Sequence, residues 1–129
     1  MNDGLASIKW RSQCTISCAL DVVGDKWSLL ILRDLLLHQT RTFTEFTKAP
    51  EGIATNILSS RLSRLKNYGL IKQIESETMK KKIYALTEAG RDIEGVLQMA
   101  DAWSRKHLKD VQPKLVGLQD MGYTPTDAQ

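Results

Sequence analysis

The sequence predicts a mainly α-helical domain that carries one small β-hairpin. Apolar residues recur at helical spacing through most of the 129 residues, but between Gly69 and Thr87 the pattern switches to two short apolar runs around a polar, lysine-rich segment. A composition with 42% hydrophobic and 26% charged residues is that of a globular protein. At this length we expect a single domain, residues 1–129.

Two classes of protein are excluded by simple patterns. No apolar stretch approaches the roughly 18 residues of a membrane span, and the N-terminus lacks the apolar core of a secretory signal, so we expect a cytoplasmic protein. The cysteines Cys14 and Cys18 are too few and too close for an extracellular disulfide framework. They also lack the spacing of a zinc site, so we expect reduced thiols, no metal and no cofactor.

Positive charge is concentrated in the central third of the chain. The formal net charge is only +3, yet residues 41–86 carry nine Lys and Arg against four Glu, and the remainder of the chain is slightly acidic. This distribution predicts an anionic partner for the central segment.

The N-terminal third predicts two helices, or one broken helix. Apolar residues follow helical spacing from Cys14 to Val23, Gly24 interrupts the pattern, and a second apolar-faced stretch runs from Lys26 to Leu37.

Residues 41–69 predict a pair of helices. Thr42 and Glu45 form a capping box that opens a short helix ending at residues 50–52. Thr55 or Asn56 can cap a second helix, and Gly69 ends it in a left-handed conformation. The buried stripe of this second helix is Leu58, Leu62 and Leu65.

The opposite face of this second helix is polar and free of acid. It carries Asn56, Ser59, Ser60, Ser63 and Arg64. Solvated helix faces usually mix both charge signs, whereas short polar side chains and arginine suit close approach to phosphates and base edges. We interpret the face as a DNA contact; the alternative is a plain solvated surface, because Ser-rich faces also occur by chance.

The segment after Gly69 predicts a hairpin whose tip bears Lys80, Lys81 and Lys82. Two helices followed by a basic hairpin is the order of a winged helix-turn-helix, in which one helix enters the major groove and the wing follows the backbone. The alternative is that the lysines only guard a sheet edge against aggregation.

A long helix is predicted from about Glu88 to Leu108, capped by Thr87. One face of this helix carries Ile93, Val96, Leu97, Ala100, Trp103 and His107. A domain this small rarely covers such a face alone, so we predict a subunit contact. The alternative is that the helical segment 16–37 covers it, and residues 123–129 are expected to fray.

An ordered set of motifs makes the chain recognisable. It consists of Cys14, ALDVVGDKW at 19–27, LLILRDLLL at 29–37, RTFTEF at 41–46, GIATNILSSRLSRLKNYGLI at 52–71, YALTEAG at 84–90 and Trp103. Over roughly residues 12–108 the chain resembles the HxlR-type branch of bacterial winged helix-turn-helix regulators, which is distantly similar to the MarR type. The resemblance implies a dimeric DNA-binding transcriptional regulator whose N- and C-terminal helices join the subunits.

The resemblance also implies which residues meet DNA. A recognition helix at about residues 54–67 would contribute Thr55, Asn56, Ser59, Ser60, Arg61 and Arg64, and the wing would contribute Lys80, Lys81 and Lys82. Thr42, included as a DNA contact, stands where the family commonly has a basic residue. The family's Pro- and Arg-rich wing tip is replaced by Glu77, Thr78, Met79 and lysines.

The sequence offers few residues suited to catalysis. His38 and His107 are far apart, and neither lies in a metal-binding spacing. The phosphate-binding and nucleophile-elbow glycine motifs are absent. Trp10, Trp27 and Trp103 are expected to be core or interface anchors. We therefore do not expect an enzyme.

The predicted function is a sequence-specific transcriptional regulator that binds an inverted-repeat operator as a homodimer, either as repressor or as activator. One alternative is a winged-helix module that binds protein, and another is a thiol-based redox sensor acting through Cys14. Cys14 lies at the start of the first helix, and Lys9 and Arg11 would favour its thiolate. The opposing interpretation is that Cys14 packs as a small hydrophobe. No residue identifies the operator or a small-molecule effector.

Overall fold

The chain folds as a set of helices around a three-stranded antiparallel sheet, in a computed structural model that describes residues 4–75, 78 and 80–125. In chain order the elements are α1 Thr15–Val23, α2 Ser28–His38, β1 Thr40–Thr42, α3 Phe43–Phe46, α4 Thr55–Asn67, β2 Ile71–Glu75, β3 Lys82–Leu86, α5 Glu88–Arg91 and α6 Glu94–His107. The predicted fold class is confirmed. Within the described residues, no helix has the length and apolar character needed to cross a membrane.

The sheet contains the predicted hairpin and one strand that was not predicted. β3 lies in the centre, with β2 on one side and β1 on the other. β1 pairs antiparallel with β3, with Arg41 opposite Tyr84. A strand of three residues is too short to show a periodic pattern, so its existence depends on the partner that the fold brings beside it.

Local signals predicted the start of α3 correctly. The Thr42 hydroxyl oxygen accepts a hydrogen bond from the Glu45 amide at 3.2 Å, and the Glu45 carboxylate accepts one from the Thr42 amide at 2.9 Å. The predicted break between α1 and α2 is also present, at residues 24–27.

The predicted cap of α4 is wrong. The capping position is occupied by Ala54, whose backbone is extended and whose side chain makes no capping hydrogen bond, so Thr55 and Asn56 are the first residues inside the helix. Ile53 packs against the core just before this point, and this packing rather than a polar cap determines where the helix begins. Gly69 ends the helix with φ +78°, as predicted.

The core holds α4 against the rest of the domain. Leu58 and Leu65 are fully buried and Leu62 is 2% exposed, which confirms the predicted stripe. They belong to one cluster with side chains from α2, α3 and the sheet, including Leu32, Leu35, Phe46, Ile71 and Tyr84. Because protein cores are densely packed, α4 is held in one orientation relative to the sheet.

The predicted long C-terminal helix is two helices. Thr87 does cap the first, accepting from the Gly90 amide at 3.1 Å, but α5 ends at Arg91 and α6 begins at Glu94. Buried Gly90 packs so closely on the Leu70 carbonyl that the first turn is held to the sheet, and the chain then turns away.

The apolar face of α6 is largely left uncovered by the residues that the structure describes. Leu97 is buried, but Val96 and Met99 are exposed, and Trp103 is 58% exposed. The helical segment 16–37 therefore covers this face only in part, because Ile93 packs against the core and Leu97 is buried, whereas Val96 and Trp103 remain exposed. α1 shows the same feature, because Ile16 is 71% exposed.

Candidate nucleic-acid interface

The outward face of α4 is polar, exposed and free of acidic side chains. The buried leucine stripe fixes the rotation of the helix and leaves Thr55, Asn56, Ser59, Ser60 and Ser63 in solvent. Hydroxyl and amide groups both donate and accept hydrogen bonds. This face can therefore approach the base edges of a duplex.

The two arginines predicted in the recognition helix, Arg61 and Arg64, both have a carboxylate partner. The Arg61 Nε lies 2.9 Å from Oδ2 of Asp25, and the Arg64 Nη1 lies 3.8 Å from Oδ1 of the same carboxylate. Arg61 also places its Nη1 3.4 Å from the Ser60 hydroxyl oxygen. Arg61 and Arg64 therefore lie at the border between the outward face of α4 and the α1–α2 connection.

Sequence reasoning missed Asp25. Burial by itself would raise the pKa of this carboxyl, but hydrogen bonds from Ser28, the Trp27 amide and Arg61 outweigh it and lower the pKa below its ordinary value. Asp25 is thus a carboxylate at neutral pH. The position of Asp25 just before a helix indicates a capping role. Its pairing with Arg61, 36 residues away along the chain, produces no pattern in the local sequence.

The hairpin carries three exposed lysines, and one of them, Lys82, lies beside α4. Lys80, Lys81 and Lys82 are all exposed, and Lys80 has a left-handed backbone with φ +50°. Lys82 stands opposite Glu75 in the β2–β3 register. An open groove between the hairpin and α4 is lined by Phe43, Ser59, Leu62, Ser63, Lys66, Gln73, Lys82 and Tyr84. At the tip, Glu77 and Met79 lie outside the described residues.

Thr42 lies at the opening of α3, one residue before the groove-lining Phe43. Its hydroxyl oxygen accepts the Glu45 amide, so this side chain serves first as a helix cap. The DNA contacts predicted for Thr42 and for the residues of α4 and the hairpin remain predictions.

The turn between α3 and α4 is pinned by a buried arginine that the sequence pattern did not single out. Arg33 of α2 binds Glu51 through two hydrogen bonds, of 2.8 and 3.0 Å, and also pairs with Asp34. The bond to Glu51 raises the pKa of Arg33, and in return Arg33 lowers the pKa of Glu51. A bidentate pair of this kind fixes the turn, and with it the angle between α3 and α4.

Cys14 is exposed at the position that caps α1. The backbone amides of Ser17 and Ile16 lower the pKa of its thiol. The expected help from Arg11 is not present, because the Arg11 Nε lies 2.6 Å from an Asp21 oxygen that neutralises it. The interpretation of Cys14 as a buried packing residue is also wrong. Cys18, one turn later, is partly buried.

Possible catalytic groups are scattered. Across residues 4–75, 78 and 80–125, no group of three or more His, Cys, Asp or Glu side chains could hold a metal ion. The His107 ring lies 5.3 Å from the Trp103 ring, and both side chains belong to α6. His38 lies at the end of α2.

Comparison with known proteins gives consistent similarities. Residues 22–112 match the family model described as HxlR-like helix-turn-helix. The HTH-type transcriptional regulator YtcD of Bacillus subtilis is 32% identical over 104 residues, which are 80% of this chain and 82% of YtcD.

Two solved structures share the architecture. The reduced form of the transcriptional regulator YodB from B. subtilis superposes with a TM-score of 0.63 at 27% identity, covering 77% of this chain and 98% of YodB. The redox regulator HypR in its oxidised form superposes with a TM-score of 0.63 at 26% identity, covering 73% and 97%.

Proposed function

Because this chain belongs to the HxlR-like helix-turn-helix family of transcriptional regulators, we propose that α4 enters the major groove of duplex DNA while the β2–β3 hairpin follows the phosphate backbone. The observation that carries this proposal is the acid-free polar face of α4, held rigidly by its buried leucines beside an exposed lysine hairpin. We expect the protein to act in the cytoplasm, where occupancy of a promoter blocks or recruits polymerase.

Each part of the surface has a distinct role in this proposal. Asn56 and Ser60 lie in the first half of α4, where an amide or hydroxyl can reach base edges, and Asn suits bidentate contact with adenine. Lys80, Lys81 and Lys82 bind phosphate, which sets position and affinity without reading sequence. Thr42, Thr55, Ser59 and Arg64 surround these contacts.

A salt titration tests DNA binding against the alternative of a protein-binding module. Genomic fragments retained by the protein are titrated at several salt concentrations, and phosphate contacts predict that log affinity falls steeply and linearly with log salt. Affinity that does not depend on salt, or the failure of every fragment to bind, would favour a protein partner instead.

We further propose that the protein acts as a homodimer. α1 and α6 leave large apolar side chains in solvent, including Ile16, Leu20, Met99 and Trp103, and such faces mark subunit contacts. A two-fold dimer places the two α4 helices about one DNA turn or a small multiple apart, which requires an inverted-repeat operator. Light scattering should give a dimer for the parent protein and a monomer for Trp103→Glu; a monomeric parent at micromolar concentration, still bound to a single half-site, would contradict this.

Redox control through Cys14 is a second candidate function. The thiol is exposed, the amides of Ser17 and Ile16 lower its pKa, and a lower pKa increases the reactive thiolate fraction. Among the structural relatives, HypR is a redox regulator and YodB is known in reduced and diamide-treated forms. We propose that two Cys14 thiols, one from each subunit, give up two electrons and two protons to an oxidant such as diamide and form an intersubunit disulfide.

Operator affinity before and after diamide tests this candidate on the parent, Cys14→Ser and the matched control Cys18→Ser. The parent and Cys18→Ser should change affinity and show a disulfide-linked dimer on a non-reducing gel, whereas Cys14→Ser should do neither. Equal affinities throughout, with no linked dimer, would leave Cys14 without a sensing role.

A further inference from the structure

We propose that Asp25 is a specificity-determining residue, which holds Arg61 and Arg64 of α4 so that they cannot bind phosphate indiscriminately. This inference rests on the proposed DNA-binding function. It concerns a residue that makes no predicted contact with DNA itself and acts only by positioning the two arginines.

The geometry concentrates two arginines on one fixed carboxylate. Arg61 and Arg64 lie one turn apart on α4, and both reach Asp25 in the connection between α1 and α2. The Asp25 side chain is only 19% exposed and that of Arg61 22%, so this pair is shielded from solvent more than a surface ion pair. Arg64 is more open, at 36%, and its contact is longer.

The carboxylate is held in place independently of the arginines. Its Oδ2 accepts hydrogen bonds of 3.1 Å from the amides of both Trp27 and Ser28, and its Oδ1 accepts one from the Ser28 hydroxyl. Asp25 therefore closes the turn of residues 25–28 that leads into α2, with the same hydrogen-bond pattern that a helix-capping side chain uses. Because α2 belongs to the buried core, the negative charge has a fixed position beside α4.

The effect of Asp25 on DNA binding follows from how an arginine without a carboxylate partner interacts with DNA. Free arginines contact phosphate at any sequence, and such contacts supply most non-specific affinity. Asp25 offsets positive charge on α4 and occupies the Nε edge of Arg61, while the Arg61 Nη1 contacts the Ser60 hydroxyl. The Nη groups of Arg61 are then the ones left for phosphate. These Nη groups can bind phosphate only when the duplex is positioned as the contacts between α4 and the bases require.

The variant Asp25→Asn removes the charge while keeping an oxygen that can accept the Trp27 and Ser28 amides, because Asn caps helices about as well as Asp. The matched control is Asp21→Asn on α1, which changes the net charge equally and also releases an arginine, Arg11, which precedes α1 and is not on α4. Asp25→Ser, whose hydroxyl can also cap, serves if thermal unfolding shows that the first variant has lost its fold.

The probe is a fluorescent duplex of about 30 base pairs, roughly three helical turns, with arbitrary sequence. Anisotropy titrations between about 50 and 200 mM salt give the slope of log affinity against log salt. Each arginine released onto phosphate should steepen the slope by up to about 0.9, or about 3.5-fold in affinity across this fourfold salt range. We expect Asp25→Asn to steepen the slope by up to about 1.8, and Asp21→Asn to leave it unchanged.

Three results would overturn the inference. The first is a salt slope for Asp25→Asn equal to that of the parent. The second is a loss of affinity that is the same at every salt concentration, as expected if Asp25 only stabilises the fold. The third is a steeper slope that persists when Arg61→Gln and Arg64→Gln are also present. In each case the salt-dependent binding of the parent still supports the proposed function. Absence of binding by the parent to any duplex would instead overturn both.

Discussion

Replacing Lys80, Lys81 and Lys82 together with glutamine should weaken binding to all DNA sequences by a similar factor. The three side chains are exposed on the hairpin, and Lys82 lines the groove between the hairpin and α4. In the proposed binding mode they contact phosphates of the DNA backbone. Glutamine keeps the length and polarity of the turn but removes its charge. The loss should therefore appear in the salt dependence rather than in sequence preference.

The magnitude follows from how each lysine is placed. Each lost phosphate contact reduces the slope of log affinity against log salt by about 0.9. Lys82 stands opposite the acidic Glu75 in the strand register, which lowers the net positive charge at that position, whereas Lys80 and Lys81 lie beyond the paired residues. We expect a reduction of about 1.8, rising to about 2.7 if Lys82 contributes fully. Across a fourfold salt range this corresponds to about 12- to 40-fold in relative affinity.

The assay is fluorescence anisotropy with an operator duplex and a duplex of arbitrary sequence, each at several salt concentrations. The control replaces Lys106, Lys109 and Lys114 with glutamine, which removes the same charge from the C-terminal part of the chain. An unchanged slope in the hairpin variant would refute the reasoning and leave the lysines as a solvated turn that guards a strand edge. An equal reduction in the control would show a general charge effect.

Three further predictions concern the recognition of DNA bases, stability at acid pH and packing of the core. Asn56→Ala should lower the discrimination between the operator and its point variants by about 1 to 3 kcal/mol in competition binding, with the fold unchanged. Glu51→Gln should make the free energy of unfolding depend less on pH in the acid range. The folded pKa of Glu51 is lowered, so its stabilising contribution is present above its ordinary pKa of 4.5 and is lost as pH falls through the lower folded value. Denaturant midpoints at neutral and acid pH measure this difference. Gly90→Ala should cost about 1 to 3 kcal/mol of unfolding free energy because its Cβ meets the Leu70 carbonyl, whereas Gly95→Ala, which meets nothing, should be neutral or stabilising by up to about 1 kcal/mol.

The parts of the fold that could be predicted from the sequence are those with a local physical cause. The capping box at Thr42, the left-handed stop at Gly69 and the leucine stripe of α4 each depend on neighbours within a few residues. Each was confirmed. The hairpin was also predicted, since its two apolar runs are adjacent in the chain.

The parts that were missed depend on residues far apart in the chain. Strand β1 exists because β3 lies beside it, and the break between α5 and α6 follows where Gly90 packs on the sheet. The start of α4 is set by the packing of Ile53 on the core, which capping propensity does not encode.

The candidate site divides in the same way. The outward polar face of α4 follows from helical spacing alone. The Asp25–Arg61 and Arg33–Glu51 pairs join residues 36 and 18 positions apart, and no pattern within one element indicates them. Both arginines therefore have a carboxylate partner that a count of charges along the chain does not reveal.

Sequence-specific contact by α4 is tested most directly by footprinting a genomic fragment that the protein itself has selected from a fragment library. We predict protection of an inverted repeat whose half-sites lie about 10 base pairs apart, centre to centre, or a small multiple of this distance. Asn56→Ala and Ser60→Ala should make the protection less confined to that inverted repeat while the proteins remain folded. Protection of no defined sequence, or a footprint identical in the parent and both variants, would contradict the assignment of α4 as the recognition helix.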